Sequence, residues 1–395
     1  MKNYIKIQPK VQEYDWGNST FIPSLLNVEQ DKKPKAELWM GTHSGAPATL
    51  EDGSLFSTFL EENQEFLGQK HLNKYGSYLP LLFKVLAIDK PLSIQCHPTA
   101  EIAKKGWAAE ENYRLENPKN LWNYKDDSRK AEVIYALTPL TAMCGFIPYK
   151  EAVKNLKRMI PNGYIKYLSA VEGNAEISEN EKLSFIFETI YRMDADYLKL
   201  LIKELMKNVK APEEIDENFL SKEEIIIRSY EEYPEDPGLF CPLILNIAHL
   251  RKGDALFLEP CMLHAYVLGN GIELMSASDN VLRGGLTHKK MDVDELIKVM
   301  VVKGEKLELA TKHKDIYNRV IVETPTEEFT LAVMENGTFS VKTDSIEILL
   351  NNSMDTKIQI EGEDVPFIKG EVLVVASEKS YVLSTSNSVY CAKID

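Results

Sequence analysis

The sequence predicts a mainly β fold, interrupted by a helical block and followed by a second β-domain. Three observations predict it. Short β-rich runs separated by turn residues fill the first 95 residues and resume after residue 238. Apolar residues at helical spacing dominate the stretch from about Lys150 to Tyr230. From about Asn318 onward, short β-runs alternate with Gly, Asn and Asp, the pattern of a sandwich or barrel. The expected division is a discontinuous first domain of residues 1–149 and 235–305. Residues 150–234 form a helical insertion and residues 306–395 a C-terminal β-domain.

The elements follow in order. Leu81 to Ala87 is a compact apolar strand interrupted by Lys84, and Asp89-Lys90-Pro91 makes a turn. Leu92 to His97 reads as another strand, stopped by Pro98. Ala100 to about Arg114 is helical, Asn117 to Ser128 is a polar loop, and Glu132 to Leu137 returns to strand. Phe185 to Met193 and Tyr197 to Met206 carry the helical period inside the insertion. Strands then cover Leu243–Leu250, Ala255–Leu258, His264–Leu268 and Ile272–Ala277. A short helix over Asp292–Val301 is capped by Asp292 or Asp294. The last domain has β-runs at Phe329–Val333, Ile346–Leu350, Glu371–Val375 and Val389–Ala392.

Composition excludes several function classes. Forty-six Lys and Arg against 60 Asp and Glu give a net charge of −14. That balance disfavours non-specific binding to nucleic acid or an anionic membrane, while a small anion can still be held by a few convergent cations. No apolar run reaches the ~18 residues of a membrane helix. Met1 to Ile7 has no secretory apolar core, so the expected compartment is the cytoplasm. Cys96, Cys144, Cys241, Cys261 and Cys391 are dispersed and lack any CxxC pair, which predicts reduced, buried thiols.

Four residues stand out as metal donors. Gln95 and His97 lie two apart on one expected strand, so both face one side. Glu132 on another strand adds a carboxylate, and His264 opens a third after the turn Glu259-Pro260-Cys261-Met262. Two imidazoles with two oxygens suit zinc with an open position. A lone strand histidine is more often an ordinary polar or core residue, so spacing alone leaves this set open.

Several runs narrow the choice. Ala36-Glu37-Leu38-Trp39-Met40-Gly41-Thr42-His43, Leu81 to Leu86 and Leu92 to Pro98 are followed by Lys130-Ala131-Glu132 with Ala136 to Pro139. Pro242 to Asn246, His264-Ala265-Tyr266 and Ser278 to Thr287 complete the series. In this order the motifs resemble the type I mannose-6-phosphate isomerases across most of residues 1–300. The resemblance implies a cupin, or jelly-roll, catalytic domain with a helical insertion and a second cupin-like domain. It implies one Zn2+ per chain on Gln95, His97, Glu132 and His264. It also implies a small sugar phosphate as partner, D-mannose 6-phosphate converted to D-fructose 6-phosphate through an enediol.

The resemblance further favours active-site roles for Lys84, Lys130 and Arg283. An unpaired ammonium inside the apolar Lys84 strand is costly, and Arg283 in a Gly-rich turn suits bidentate binding of a phosphate or oxyanion. A snorkelling lysine and a solvated loop arginine are the plainer readings. Glu273 alternates with Ile272 and Leu274, which turns it toward a barrel interior as the expected base. Asp279 or a metal-bound water is the alternative base. Ser93 and Tyr266 are further lining candidates.

Two departures stand against the family pattern. Arg129-Lys130-Ala131-Glu132 replaces the usual His-Lys-Pro-Glu, and Gly285-Leu286-Thr287-His288-Lys289 replaces Gly-Leu-Thr-Pro-Lys. A sugar-phosphate-binding cupin without turnover, and an isomerase with another preferred sugar phosphate, stay open at this point, as does monomer against dimer.

Overall fold

A computed structural model describes residues 2–212 and 216–394. Residues 213–215, inside the expected helical block, and the two terminal residues lie outside the description. The strands in chain order are β1 (Tyr4–Gln8), β2 (Lys10–Gln12), β3 (Glu37–Met40), β4 (Thr49–Leu50), β5 (Leu81–Ile88) and β6 (Gln95–Cys96). They continue with β7 (Glu132–Ala136), β8 (Leu140–Phe146), β9 (Leu245–Leu250), β10 (Ala255–Leu258), β11 (His264–Ser276) and β12 (Leu282–Arg283). The C-terminal region adds β13 (Lys312–Lys314), β14 (Val320–Val322), β15 (Thr330–Lys342) and β16 (Glu347–Asn351). Its last four are β17 (Lys357–Ile360), β18 (Glu363–Val365), β19 (Val372–Val375) and β20 (Ser380–Lys393).

The first barrel is organised around β11. One part of its sheet runs β10-β7-β11-β5-β3-β2, while β8 and β6 also pair with β11 and carry β9 and β12. Both outer faces are covered. Val85, Val133, Ile272 and Leu274 pack against Ile348, Leu350, Val372 and Val374 of the C-terminal sheet. Met143, Ala265 and Val267 pack against Leu156, Ile186, Phe187 and Leu205 of the helical block. A strand buried on both faces has no polar side to show, which is why β5 reads as a nearly continuous apolar run. The N-terminal strand crosses over: β1 pairs with β19, Ile5 opposite Val374.

The helical block follows its local signals. Ser178 and Ser221 each open a helix as half of a capping box with Glu181 and Glu224. Leu183, Ile186, Phe187 and Ile190 repeat at i, i+3, i+4 and i+7 and are all buried. Asp292 caps the helix Val293–Val299 by accepting from the Glu295 amide, which resolves the choice between Asp292 and Asp294.

Three expectations change. The first 95 residues contain helices at Phe21–Leu26, Phe56–Glu62 and Gln69–Tyr75. The second of these buries Phe56, Phe59 and Leu60, a helical spacing hidden among turn residues. Leu92–His97 is strand only at Gln95–Cys96. Upstream, Leu92 donates to the Tyr266 carbonyl and Ile94 to that of Gly285, so the segment bridges two neighbours instead of running beside one. His264–Leu268 and Ile272–Ala277 are one continuous strand. Gly269 keeps it continuous at φ 116°, where a Cβ would sit 2.3 Å from the Pro139 carbonyl oxygen.

Candidate active site

Sheet registers assemble the site. His264 on β11 lies opposite Gln95 on β6, and Gln95 lies opposite Arg283 on β12. On the other side, Trp39, Lys84 and Glu273 form a row across β3, β5 and β11. Met275 lies opposite Glu132. Directly opposed residues share a face, so these rows line the barrel interior together.

The deepest group is His97, Glu132 and His264, all buried. Each imidazole Nε2 stands 3.3 Å from the same Glu132 Oε2. The Nδ1 atoms are committed elsewhere: His97 to the Asn280 carbonyl at 2.7 Å and His264 to the Met262 carbonyl at 2.9 Å. A carbonyl only accepts, so Nδ1 carries the proton and Nε2 presents a lone pair. Burial, helped by the Lys130 charge, pushes His97 down to about 4 and keeps it neutral. Burial alone would raise Glu132, but Lys130 above all holds it well below the carboxylate range. Two lone pairs facing one carboxylate oxygen repel unless a cation sits among them. Lys130 Nζ fills that role in part, 2.5 Å from Glu132 Oε1 and 3.2 Å from His97 Nε2. This donor set fits a divalent metal such as zinc, with second groups already orienting both imidazoles.

Above it lies a cavity of about 90 Å³ lined by Lys84, Gln95, Lys130, Glu132, His264, Tyr266 and Glu273. Lys84 donates to Glu273 Oε2 at 2.9 Å, stands 3.9 Å from Glu37 Oε2 and lies 4.6 Å from the Trp39 ring centre. Burial works against the Lys84 charge, yet Glu273 and Glu37 outweigh it and raise its pKa. Burial also raises Glu273, with Lys84 opposing and Glu132 adding to the rise. The buried Tyr266 hydroxyl sits among these carboxylates without a hydrogen bond of sound geometry.

Glu37, Lys84, Gln95 and Lys130 also line an outer cleft of about 600 Å³ that contains Ser93, Asp279 and Arg283. Arg283 has no carboxylate partner among the described residues. Lys125 and Lys289 line the same cleft, and burial with the Arg283 charge pulls Lys125 down to about 8. Asp279 sits at this outer level, 3.2 Å from His43 Nε2 and 3.4 Å from Lys119 Nζ. The Gly45 amide donates to His43 Nδ1, so Nε2 carries the proton toward Asp279. That bond, with burial opposing, holds the Asp279 carboxyl well below its usual range. The structure thus gathers Lys84, Lys130, Tyr266 and Glu273 with Gln95, Glu132 and His264 around one cavity, keeps His97 against Glu132, and sets Ser93, Asp279 and Arg283 at the mouth.

Glu37, His43, Lys125 and Lys289 line or support the cleft without having been singled out from the sequence. Glu37 carried a readable signal, a carboxylate inside the apolar run Ala36–Met40 beside Trp39.

Barrel, buried donor cluster and cationic mouth define a metal-site cupin enzyme for a small anionic substrate. The family model of the type I phosphomannose isomerase catalytic domain matches residues 4–149, and that of the helical insertion domain matches residues 165–245. The chain is 31% identical to mannose-6-phosphate isomerase of Candida glabrata, across 97% of this chain and 96% of that one. The Homo sapiens enzyme of the same name is 30% identical, across 94% and 93%. A crystal structure of mannose 6-phosphate isomerase bound with zinc and yttrium superposes with a TM-score of 0.88 at 28% identity, covering 100% of both chains. A mutant of phosphomannose isomerase from Salmonella typhimurium gives 0.87 at the same identity and coverage. The chain belongs to the type I phosphomannose isomerase family.

Proposed function

We propose that this chain is a zinc-dependent aldose–ketose isomerase that interconverts D-mannose 6-phosphate and D-fructose 6-phosphate through an enediol. The observation that carries it is the buried His97, Glu132 and His264 set, of which Glu132 and His264 line the same small cavity as the Lys84–Glu273 pair. Gln95 completes the zinc set, at one ion per chain. Zinc held there supplies Lewis-acid polarisation of the sugar oxygens.

The chain's own residues do the rest. Glu273 removes the C2 proton of the open-chain aldose and returns it to C1, while the proton of the C2 hydroxyl passes to the C1 oxygen, so that protons balance across the enediol. Its raised pKa brings it closer to the working pH, where a general base is most effective. Lys84 holds Glu273 Oε2 and balances its charge, leaving Oε1 outside that bond. The Tyr266 hydroxyl is available to donate to a sugar oxygen. Lys130 offsets the charge of Glu132. Arg283, with Lys125, Lys289 and Ser93, receives the phosphate at the outer level. Asp279 is paired at the mouth and is the less suited base. Residues from 1–149 and 235–305 supply every group named here, which supports reading these segments as one catalytic domain. The buried, unpaired cysteines accord with a cytoplasmic setting, and no helix among the described residues is long and apolar enough to cross a membrane.

The test is a coupled assay of mannose 6-phosphate isomerisation. Activity should vanish on chelation and return with zinc. Turnover that persists in metal-free protein would remove the donor cluster from the reaction.

A further inference from the structure

The outer cleft depends on where Arg283 is held, and the hold comes from a direction the site itself does not show. Arg283 ends β12, and the next four residues, Gly284 to Thr287, turn away beneath the helical block. Tyr191, on the helix Glu179–Tyr191, donates its buried hydroxyl to the Gly284 carbonyl. Asp236, just after the last helix of the block, is buried and receives the amides of Gly238 at 2.7 Å, Thr287 at 3.3 Å and Leu286. Gly285 lies flat against this carboxylate at φ 126°, and a Cβ there would stand 2.8 Å from Asp236 Oδ1. On the other side Gly284 and Gly285 exchange backbone bonds with Ile94, next to Gln95.

A chain leaving an arginine is thus fixed by one carboxylate collecting several backbone amides and one phenol closing the preceding carbonyl. Neither residue lines the cavity or the cleft. Such a buried carboxylate is costly unless its bonds are needed. The Arg283 guanidinium, by contrast, has no side-chain partner among the described residues.

We propose that Asp236, assisted by Tyr191 of the helical block, is the positioning residue for Arg283, so that the place where the chain leaves the block sets the position of the guanidinium in the cleft. This rests on the reading of Arg283 as a substrate-binding group. Asp236→Asn keeps the shape and one acceptor oxygen but loses the charge that gathers the amides. Tyr191→Phe removes only the hydroxyl.

The test measures kcat and KM for mannose 6-phosphate in D236N, Y191F, R283A and the doubles D236N/R283A and Y191F/R283A, with zinc content alongside. D236N should lose roughly 10–100-fold in kcat/KM, the scale of a misplaced binding group. Y191F should lose less, and both should keep their zinc. In the R283A background neither substitution should lower kcat/KM further, because the group through which they act is gone. Equal losses in both backgrounds would make the two residues merely structural and overturn the proposal. So would D236N at the unmodified rate beside an impaired R283A. An unimpaired R283A would overturn the reading of Arg283 itself, and the anchor with it. Should D236N fail to fold, Y191F and its double carry the same comparison.

Discussion

Replacing Glu273 by Gln tests the proton transfer directly. Gln has the size of Glu, and its amide oxygen can still accept from Lys84 Nζ, which now stands 2.9 Å from Oε2. Lys84 also keeps Glu37 at 3.9 Å, so its ammonium is not left without a countercharge. The proposed zinc donors His97, Glu132 and His264 are untouched. What the variant loses is a basic oxygen in the cavity. A general base contributes about 10²–10⁴-fold, or roughly 3–5.5 kcal/mol of barrier. E273Q should therefore bind zinc and mannose 6-phosphate but turn over slower by that range. The same base carries the C2 proton, so exchange of that proton with solvent deuterium, followed by NMR, should slow in step. Near-normal turnover in zinc-loaded E273Q would refute the assignment. Unchanged C2 exchange beside slow turnover would place Glu273 after proton abstraction. Loss of zinc would show instead that the carboxylate supports the metal cluster.

Three further outcomes are expected. Lys84→Met leaves Glu273 buried without its main partner, a change that costs about 3–5 kcal/mol. The folded-state pKa of Glu273, already raised by burial, then rises further, so its contribution is favourable at low pH and is lost as pH rises through that value. The urea midpoint of K84M should thus fall further below the unmodified protein at pH 8 than at pH 5, and a pH-independent gap would refute this. His264→Ala should weaken zinc binding, measured by chelator competition, more than Gln95→Ala, because imidazole is the stronger ligand; the reverse order would displace His264 from the set. Free mannose should be a far poorer substrate than mannose 6-phosphate, since phosphate binding places the reacting carbons, and equal kcat/KM for the two would contradict a phosphate-directed cleft.

Much of the site was legible because it breaks local rules. Lys84 in β5 is a charge inside an apolar strand, and Glu273 stands between Ile272 and Leu274, so alternation sets it on the face opposite these apolar neighbours. His97 and His264 sit at strand starts and ends, where donors reach a common centre. The helices of the block were legible through spacing, and the structure adds a Ser-x-x-Glu capping box at the start of two of them. What was not legible depends on pairing across long separations. The join of β1 to β19 links residues more than three hundred positions apart, and no local pattern announces it. Asp236 reads as one more turn residue before Pro237, and only the folded chain brings Leu286 and Thr287 onto it. The N-terminal helices were too short for their period to stand out from the turns around them.

The single strand β11 shows how much one misread break conceals. Glu273 lies nine positions after His264, which a straight strand would stretch over ~30 Å. Alternation would also put an even and an odd position on opposite faces. Yet both line the same cavity of about 90 Å³. Two devices reconcile this. The register against β8 slips by one residue between Tyr266 and Leu268, a bulge that reverses the alternation. His264 and Tyr266 before it then share the interior with Glu273 and Met275 after it, while Ala265 and Val267 face the helical block and Ile272 and Leu274 the C-terminal sheet. Gly269, at φ 116°, lies where the strand leaves β8 for β5 and β7, and thereby curves around the barrel. The proposed base and a proposed metal donor are thus held on one bent strand. Each half of that strand is braced by a different neighbouring body, the first by helices and the second by the C-terminal sheet. This explains why a cavity lined by residues between Glu37 and Glu273 is accompanied by two additional bodies that contribute no side chain to it.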